Sequence, residues 1–265
     1  IYTMIEFKGK TVWITGASSG IGKALAIKLG SLGANLVLSS RKKNQLMEVA
    51  KLCNTEVLVL PIDLEKSSNF SEKVSKVVSK FKSIDLLINN GGISQRSRAY
   101  ETDIEVDRKI MEVNYFGTIA LTKSILPIMQ KQKSGYITTV SSSSGKFGFF
   151  LRSSYSASKF AQVGFFESLR LEEEKNNIFI SIVFPFLVKT NISLNAISEK
   201  GIANKKNDPL IEKGISPEKC AQDIIDGIMN QKKEIFSGGK GAWILNIKRF
   251  FPELFFKIMR KQIPN

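Results

Sequence analysis

The sequence contains no histidine, and this absence removes several kinds of chemistry from consideration. Histidine-based triads, histidine metal sites and histidine acid–base catalysis are excluded, so proton transfer has to use Tyr, Lys, Asp or Glu. Cysteine is nearly absent as well. Cys53 and Cys220 lie far apart without metal or disulfide spacing, which fits two ordinary thiols in a reducing compartment. No metal site is predicted.

Long apolar runs and acidic residues are also scarce. No run reaches the roughly 18 apolar residues of a membrane-spanning helix, and no secretory signal pattern is visible, so we expect a cytoplasmic protein. The formal net charge is +15. Such an excess of cations suggests an anionic partner, namely a phosphorylated cofactor, a membrane surface or nucleic acid, although a solvated basic surface would look the same. No nucleic-acid-binding motif accompanies the charge, and nucleic acid is not predicted as a partner.

Apolar strand-like runs alternate with helical patterns along the chain. This alternation predicts one α/β domain of the Rossmann type, a doubly wound parallel sheet of about seven strands flanked by helices, with ligands at the C-terminal ends of the strands. The domain is expected over residues 1–240, with a separate C-terminal tail over 241–265. The predicted strands cover residues 11–15, 34–39, 56–62, 84–88, 135–141, 178–184 and 234–236.

A glycine-rich segment follows the first predicted strand. Gly16, Gly20 and Gly22 stand between this strand and a helical pattern. A strand, a glycine loop and a helix N-terminus together form the usual cradle for a dinucleotide pyrophosphate. After the second strand Arg41 stands where an acidic residue would bind the ribose of NAD, and a guanidinium suits the 2′-phosphate of NADP(H); an exposed basic turn is the alternative. Asp63 could receive the adenine amino group.

Tyr155 and Lys159 are spaced so that a helix would place both side chains on one face. A nearby cation favours the phenolate and lowers the pKa of a phenol, which then becomes a good proton donor to a carbonyl that is being reduced. Ser142, at the end of a strand, could hold the substrate oxygen. Asn114 lies inside a long helical pattern, where asparagine is unfavourable, and it either holds a water or marks a break in the helix.

Together these motifs resemble the short-chain dehydrogenase/reductase family over roughly residues 7–236. The markers are the segment 15–22 (TGASSGIG), Asp63-Leu64, the segment 89–92 (NNGG), Asn114, Ser142 and the segment 155–159 (YSASK). The segments 90–97 and 158–166 look like the branch with the retinoid- and steroid-reducing members and the microsomal hydroxysteroid dehydrogenases. Phe186 departs from the family, which has glycine there beside the nicotinamide, and this leaves cofactor closure and substrate size open.

The resemblance implies a set of roles. Tyr155 would be the general acid/base, Lys159 would lower its pKa and bind the nicotinamide ribose, Ser142 would hold the carbonyl, and Asn114 would anchor a water in a proton relay. Relatives often form homodimers or homotetramers. The expected NADP(H) contacts are Gly16, Ser18, Ser19, Gly20, Ile21, Gly22, Arg41, Asp63, Leu64, Asn90, Gly91, Tyr155, Lys159, Pro185, Val188 and Thr190.

The sequence therefore predicts an NADPH-dependent carbonyl reductase, reversible as an alcohol dehydrogenase, acting on a small hydrophobic substrate. Phenylalanines at 147, 149, 150 and 186 are expected near the site, and the loops 94–101 and 190–209 are expected to set specificity, the second as a lid. The alternatives are a non-catalytic NADP(H) sensor and a membrane-associated interaction protein. The tail over 243–260 predicts two short amphipathic helices broken at Pro252, which would contact a membrane, cover the cleft or form a subunit interface.

Overall fold

The computed structural model describes residues 5–205, 208–238 and 244–261, without the side chains of 209 and 244–246. Within them the strands form one parallel sheet of seven, in the order β3-β2-β1-β4-β5-β6-β7. This confirms the predicted Rossmann-type fold. The strands are β1 (Thr11–Thr15), β2 (Asn35–Ser39), β3 (Val57–Val59), β4 (Leu86–Asn89), β5 (Gly135–Val140), β6 (Ile178–Pro185) and β7 (Glu234–Ser237).

Helices cover both faces of this sheet. They are α1 (Gly20–Ser31), α2 (Lys43–Lys51), α3 (Phe70–Phe81), α4 (Ile104–Met111), α5 (Gly117–Gln132), α6 (Ser153–Glu173), α7 (Pro209–Glu212), α8 (Pro217–Met229), α9 (Ile244–Phe250) and α10 (Pro252–Arg260). A π-helical turn, Glu112–Phe116, joins α4 to α5.

The central strand β1 shows why both faces must be covered. Val12 and Ile14 point into a core shared with α1, α2 and α8, whereas Trp13 points into a second core shared with α3, α5 and α6. All three side chains are fully buried. Strands buried on both faces read as continuous apolar runs, as residues 11–15 do.

The order of strands reverses beside β1, whose neighbours are β2 and β4. The crossover helices on the two sides of this point lie on opposite faces, which opens a crevice at the C-terminal ends of β1 and β4. The observed bounds differ from the predicted ones mainly at β3 and α6. β3 is shorter because it is an edge strand paired with β2 alone. α6 begins at Ser153, two residues ahead of the expected start at Tyr155.

Candidate active site

The residues predicted to form the site meet at the crevice beside β1. A cavity of about 400 Å³ opens there, a size typical of small-molecule sites. Eight of the predicted residues line it: Ile21, Asn90, Ser142, Tyr155, Lys159, Pro185, Val188 and Thr190. The glycine loop, Arg41 and Asp63 lie outside the cavity, along the same edge of the sheet, at the ends of β1, β2 and β3. The structure thus separates a reaction cavity from a strip that could hold the remainder of a dinucleotide.

The glycine loop is packed so closely that side chains would not fit. A Cβ atom on Gly22 would lie 2.3 Å from the carbonyl oxygen of Gly16. Gly16 itself has φ +65°, a conformation that favours glycine. The N-terminus of α1 follows this loop. Among the described contacts the Ser19 side chain does not cap it, so the first backbone N–H groups of α1 are left available to a ligand. This cradle fits the pyrophosphate of a dinucleotide.

Asn90 fixes the end of β4 against this loop. Its Nδ2 donates to the carbonyl oxygens of Thr15 at 3.0 Å and Gly16 at 3.3 Å. In return, the Thr15 hydroxyl accepts from the backbone N–H groups of Asn90 at 3.0 Å and Gly91 at 2.9 Å. Asn90 therefore has a structural task in addition to any contact with a cofactor.

Arg41 and Asp63 lie where an adenosine would be expected. Arg41 is exposed just beyond β2, and the residues after it are Lys42 and Lys43. Asp63 is half-buried, and one carboxylate oxygen accepts from the backbone N–H of Glu65 at 3.1 Å. The second oxygen remains available to an adenine amino group.

Ser142 and Tyr155 come together from β5 and α6. Ser142 caps a short 3₁₀ turn, with its Oγ accepting from the N–H of Ser144 at 3.1 Å. Tyr155 is buried in the first turn of α6. Burial raises the pKa of Tyr155, while the hydroxyl of Ser142 and the guanidinium of Arg152 act in the opposite direction. Arg152 is therefore a second cation near the phenol, in addition to the predicted Lys159.

Lys159 has its own constraint. Its Nζ donates to the carbonyl oxygen of Val140 at 2.8 Å and to Oε1 of Gln162 at 3.1 Å, and it lies 5.8 Å from the centre of the Tyr155 ring. Burial lowers the pKa of Lys159 to about 7. A lysine with this pKa is only partly protonated at neutral pH.

The depressed pKa of Lys159 predicts a specific pH dependence of stability. The unfolded chain, with a lysine pKa of roughly 10.4, binds more protons than the folded chain between pH 7 and pH 10. Burial of the charged Lys159 therefore lowers the free energy of unfolding fully below pH 7. This destabilisation disappears as the pH rises from 7 to 10. Relative to Lys159→Met, wild type should gain up to about 1.4 kcal/mol per pH unit in urea unfolding. A difference that is constant from pH 7 to 9.5 would contradict this pKa.

Asn114 is fully buried in the π-helical turn, a feature often found at functional sites. Its side chain exchanges hydrogen bonds with the backbone of Ile93, at 2.8 and 2.9 Å, and donates to Ser158 Oγ at 3.0 Å. The backbone carbonyl oxygen of Asn114 accepts from Nε2 of Gln162 at 2.6 Å. Gln162 thus links Asn114 to Lys159 through its carboxamide. The sequence prediction missed Gln162, because a glutamine in a helix carries no particular signal.

A second pair of residues missed by the sequence prediction lies in the cavity wall. Arg152 and Asp208 both line the cavity and form an ion pair of 2.9 Å. Arg152 directly precedes α6, and Asp208 caps α7 by accepting from the N–H of Leu210 at 3.1 Å. The available signal was one arginine close to Tyr155; its partner lies too far along the chain to be identified.

The two loops predicted to set specificity are hydrogen-bonded to each other. Backbone bonds join Arg96 N–H to the carbonyl of Ile197 at 2.9 Å, and Ile197 N–H to the carbonyl of Ser94 at 2.8 Å. At its start, the second loop places the Thr190 methyl group beside Gly20. Residues 206 and 207 of the predicted lid lie outside the described residues.

Apolar side chains form the remaining wall of the cavity. Of the predicted phenylalanines, Phe149 and Phe186 line it, whereas Phe150 does not. Phe147 is buried and meets the ring of Phe255 from α10, with 5.0 Å between ring centres. Met259, one turn further along α10, lines the cavity itself. The tail therefore covers the cleft, which was one of its three predicted roles.

Comparison with known proteins agrees with this arrangement. The short chain dehydrogenase family model matches residues 10–201, and the chain belongs to this family. A similar curated relative is the Dehydrogenase/reductase SDR family protein 7-like of Drosophila melanogaster, 40% identical over 97% of this chain and 81% of the relative.

Two solved structures share the fold. A short chain dehydrogenase/reductase from Burkholderia phymatum in complex with NAD superposes with a TM-score of 0.84 at 24% identity, covering 95% of this chain and 96% of that one. A short chain dehydrogenase from Burkholderia cenocepacia in complex with NADP superposes with a TM-score of 0.81 at 24% identity, covering 96% of this chain and 99% of that one. Membership of the short chain dehydrogenase family makes the chain an oxidoreductase. The glycine cradle fits a dinucleotide cofactor.

Proposed function

We propose that this protein is an NADP(H)-dependent carbonyl reductase, reversible as an alcohol dehydrogenase, acting on hydrophobic substrates. The observation that carries the proposal is the position of Ser142, Tyr155 and Lys159 around one largely apolar cavity next to the glycine loop. The bound nicotinamide would supply or accept the hydride. A non-catalytic NADP(H) sensor would not require these three polar groups to converge in an apolar cavity.

The protein's own residues handle the oxygen and its proton. The Ser142 hydroxyl would hold the carbonyl oxygen, and Tyr155 would donate its phenolic proton to that oxygen as it becomes an alcohol. Arg152 would stabilise the phenolate that remains. Lys159 is held by Val140 and Gln162 at a fixed distance from the Tyr155 ring, and Asn114 reaches it through Gln162. Asn114 would therefore influence the proton relay by positioning Lys159.

The choice of NADP(H) rests on Arg41, which is exposed at the end of β2 with lysines after it. We expect wild type to bind NADPH more tightly than NADH, by about ten- to a hundredfold, the range of one charge-assisted contact to a phosphate. Arg41→Asp should remove this preference, because the carboxylate repels the 2′-phosphate and suits a free ribose hydroxyl. Nicotinamide fluorescence titration measures both affinities, and Arg98→Asp, another exposed arginine, is the matched control. Equal affinities in wild type would disprove the assignment to Arg41.

We also propose that the tail contacts an anionic membrane while covering the cleft. Phe250, Phe251, Leu254 and Phe256 are exposed, and Lys248, Arg249, Lys257 and Arg260 lie among them. Exposed aromatics flanked by cations suit a membrane interface with anionic head groups. No helix in the described parts of the chain has the length and apolarity needed to cross a bilayer.

Vesicle flotation tests this contact. Changing both Phe251 and Leu254 to Ser should lower partition into phosphatidylserine-containing vesicles by at least about tenfold, since each buried apolar side chain contributes about 1.5–3 kcal/mol. Leu52→Ser, at an exposed leucine at the end of α2, should have no effect. Equal flotation of both variants would exclude the tail as the anchor.

A homodimer or homotetramer also remains part of the proposal. Relatives often associate through helices that correspond to α5 and α6. In this chain α6 exposes two large apolar side chains, Phe160 and Leu171. Light scattering of the purified protein measures the state directly, and a monomer at micromolar concentration would contradict this part.

A further inference from the structure

Two residues of the cavity wall, Arg152 and Asp208, form an unbalanced group of charges with Arg96 behind them. Nη1 of Arg96 lies 2.6 Å from Oδ2 of Asp208, and Nη2 of Arg152 lies 2.9 Å from the same oxygen. The side chains of Arg96, Arg152 and Asp208 are 19%, 10% and 7% exposed, respectively. Among the described ion pairs, both arginines end on this one carboxylate. Two guanidinium groups and one carboxylate leave an excess of one positive charge in a buried place.

The other described contacts of Arg152 do not cancel this charge. Its Nη1 donates to the hydroxyl of Ser94 at 3.0 Å, and its Nη2 is 3.5 Å from the hydroxyl of Ser193. Asp107, on α4, accepts from the hydroxyl of Ser154 and is in no described ion pair with Arg152. A buried charge is expensive unless a counter-charge approaches it. A ligand in the cavity can supply that counter-charge.

The location of this excess charge limits which part of a ligand could meet it. Arg152 precedes Tyr155 by one turn, and both line the cavity together with Asp208. Phe149, Phe186 and Met259 also line the cavity and are apolar. The cavity therefore combines a cationic group near the reacting tyrosine with apolar surface. An amphiphile with its charge near the reacting carbon matches this combination.

We propose that Arg152, supported by Arg96, binds a carboxylate of the substrate, so that the preferred substrates are amphiphilic oxo acids or hydroxy acids with an apolar chain. Asp208 already shows that both guanidinium groups donate to a carboxylate oxygen here. The inference deepens the proposed function and rests on it, because it assumes that the cavity is the substrate site. Arg152 would be a specificity-determining residue that also influences the adjacent Tyr155.

Octanoate and 1-octanol test this proposal by binding alone. Titrated calorimetrically into the full protein with NADPH bound, neither ligand can be reduced, and they differ essentially in the carboxylate. Wild type should bind octanoate at least about tenfold more tightly than octanol, as expected for a charge-assisted hydrogen bond. Arg152→Gln should bring the ratio close to one while octanol binding persists. Arg98→Gln, at an exposed arginine in the same loop as Arg96, should leave the ratio unchanged.

Asp208→Asn separates charge recognition from a purely structural clamp. This variant removes the competing carboxylate, so octanoate should bind more tightly than in wild type. If the ion pairs only held the loop 94–101 and α7 in place, both Arg152→Gln and Asp208→Asn would instead bind octanoate and octanol more weakly. Arg96→Gln provides a second, more exposed position at which octanoate affinity should fall.

The outcomes also separate this inference from the proposed function. Equal binding of octanoate and octanol to wild type, or binding of neither, would overturn the inference even if NADPH binds and ketones are reduced. Failure to bind NADPH, measured first in the same protein, would overturn the proposed function instead.

Discussion

Tyr155→Phe should lower kcat for carbonyl reduction by about 10²–10⁴-fold, the usual contribution of a positioned general acid. The substitution removes the hydroxyl group and keeps the ring, which is buried in the first turn of α6. The fold and the glycine cradle should therefore be unaffected, and NADPH affinity should change little. Stopped-flow or steady-state assays with a hydrophobic ketone measure kcat, and fluorescence titration measures the affinity for NADPH.

The matched control is Tyr100→Phe, at an exposed tyrosine in the same protein. It removes a phenolic hydroxyl in the same way and should leave kcat unchanged. Wild-type turnover in Tyr155→Phe would eliminate the proposed acid. Loss of NADPH binding along with turnover would mean that the tyrosine acts mainly by shaping the cofactor site.

Gly22→Ala should strongly impair cofactor binding. The new methyl group would lie 2.3 Å from the carbonyl oxygen of Gly16 and 2.6 Å from Nδ2 of Asn90, and both atoms are fixed by the end of β4. Since neither can move freely, the loop has to open, which should lower the free energy of unfolding by about 1–3 kcal/mol. Affinity for NADPH should fall at least about tenfold, because the backbone N–H groups would no longer converge on the phosphates.

Gly164→Ala is a suitable control for this effect. Gly164 lies inside α6 with open space where its Cβ would be, and alanine is favoured over glycine in a helix by up to about 1 kcal/mol. The control should therefore be neutral or slightly stabilised, with normal cofactor affinity. Normal NADPH binding by Gly22→Ala would show that the glycine loop does not hold the cofactor.

The parts of the site that lie at strand ends could be predicted from the sequence. Asn90, Ser142 and Pro185 each follow an apolar strand, and the structure brings all three to one cavity because parallel strands end at the same edge. Tyr155 and Lys159 were predictable from their spacing on one helix. In these cases the geometry is local or is imposed by the sheet, so one sequence is enough.

The interactions across the cavity could not be predicted. Asp208 meets Arg96 and Arg152 from a loop much further along the chain, and nothing in its surroundings distinguishes it from other surface acids. Gln162 links Lys159 to Asn114 only because the π-helical turn brings the Asn114 carbonyl to α6. The low pKa of Lys159 also follows from burial, and burial cannot be read from spacing.

The packing of α10 onto the cavity has a consequence for synthesis of the protein. All seven described strands precede Phe255 and Met259 in the chain, so the cofactor cradle can form on the ribosome before the substrate cavity has its last wall. At typical elongation rates of about 5–20 residues per second, Phe147 would remain uncovered for seconds after β7 has emerged. The nascent enzyme would therefore be able to bind a nucleotide before it can enclose a substrate.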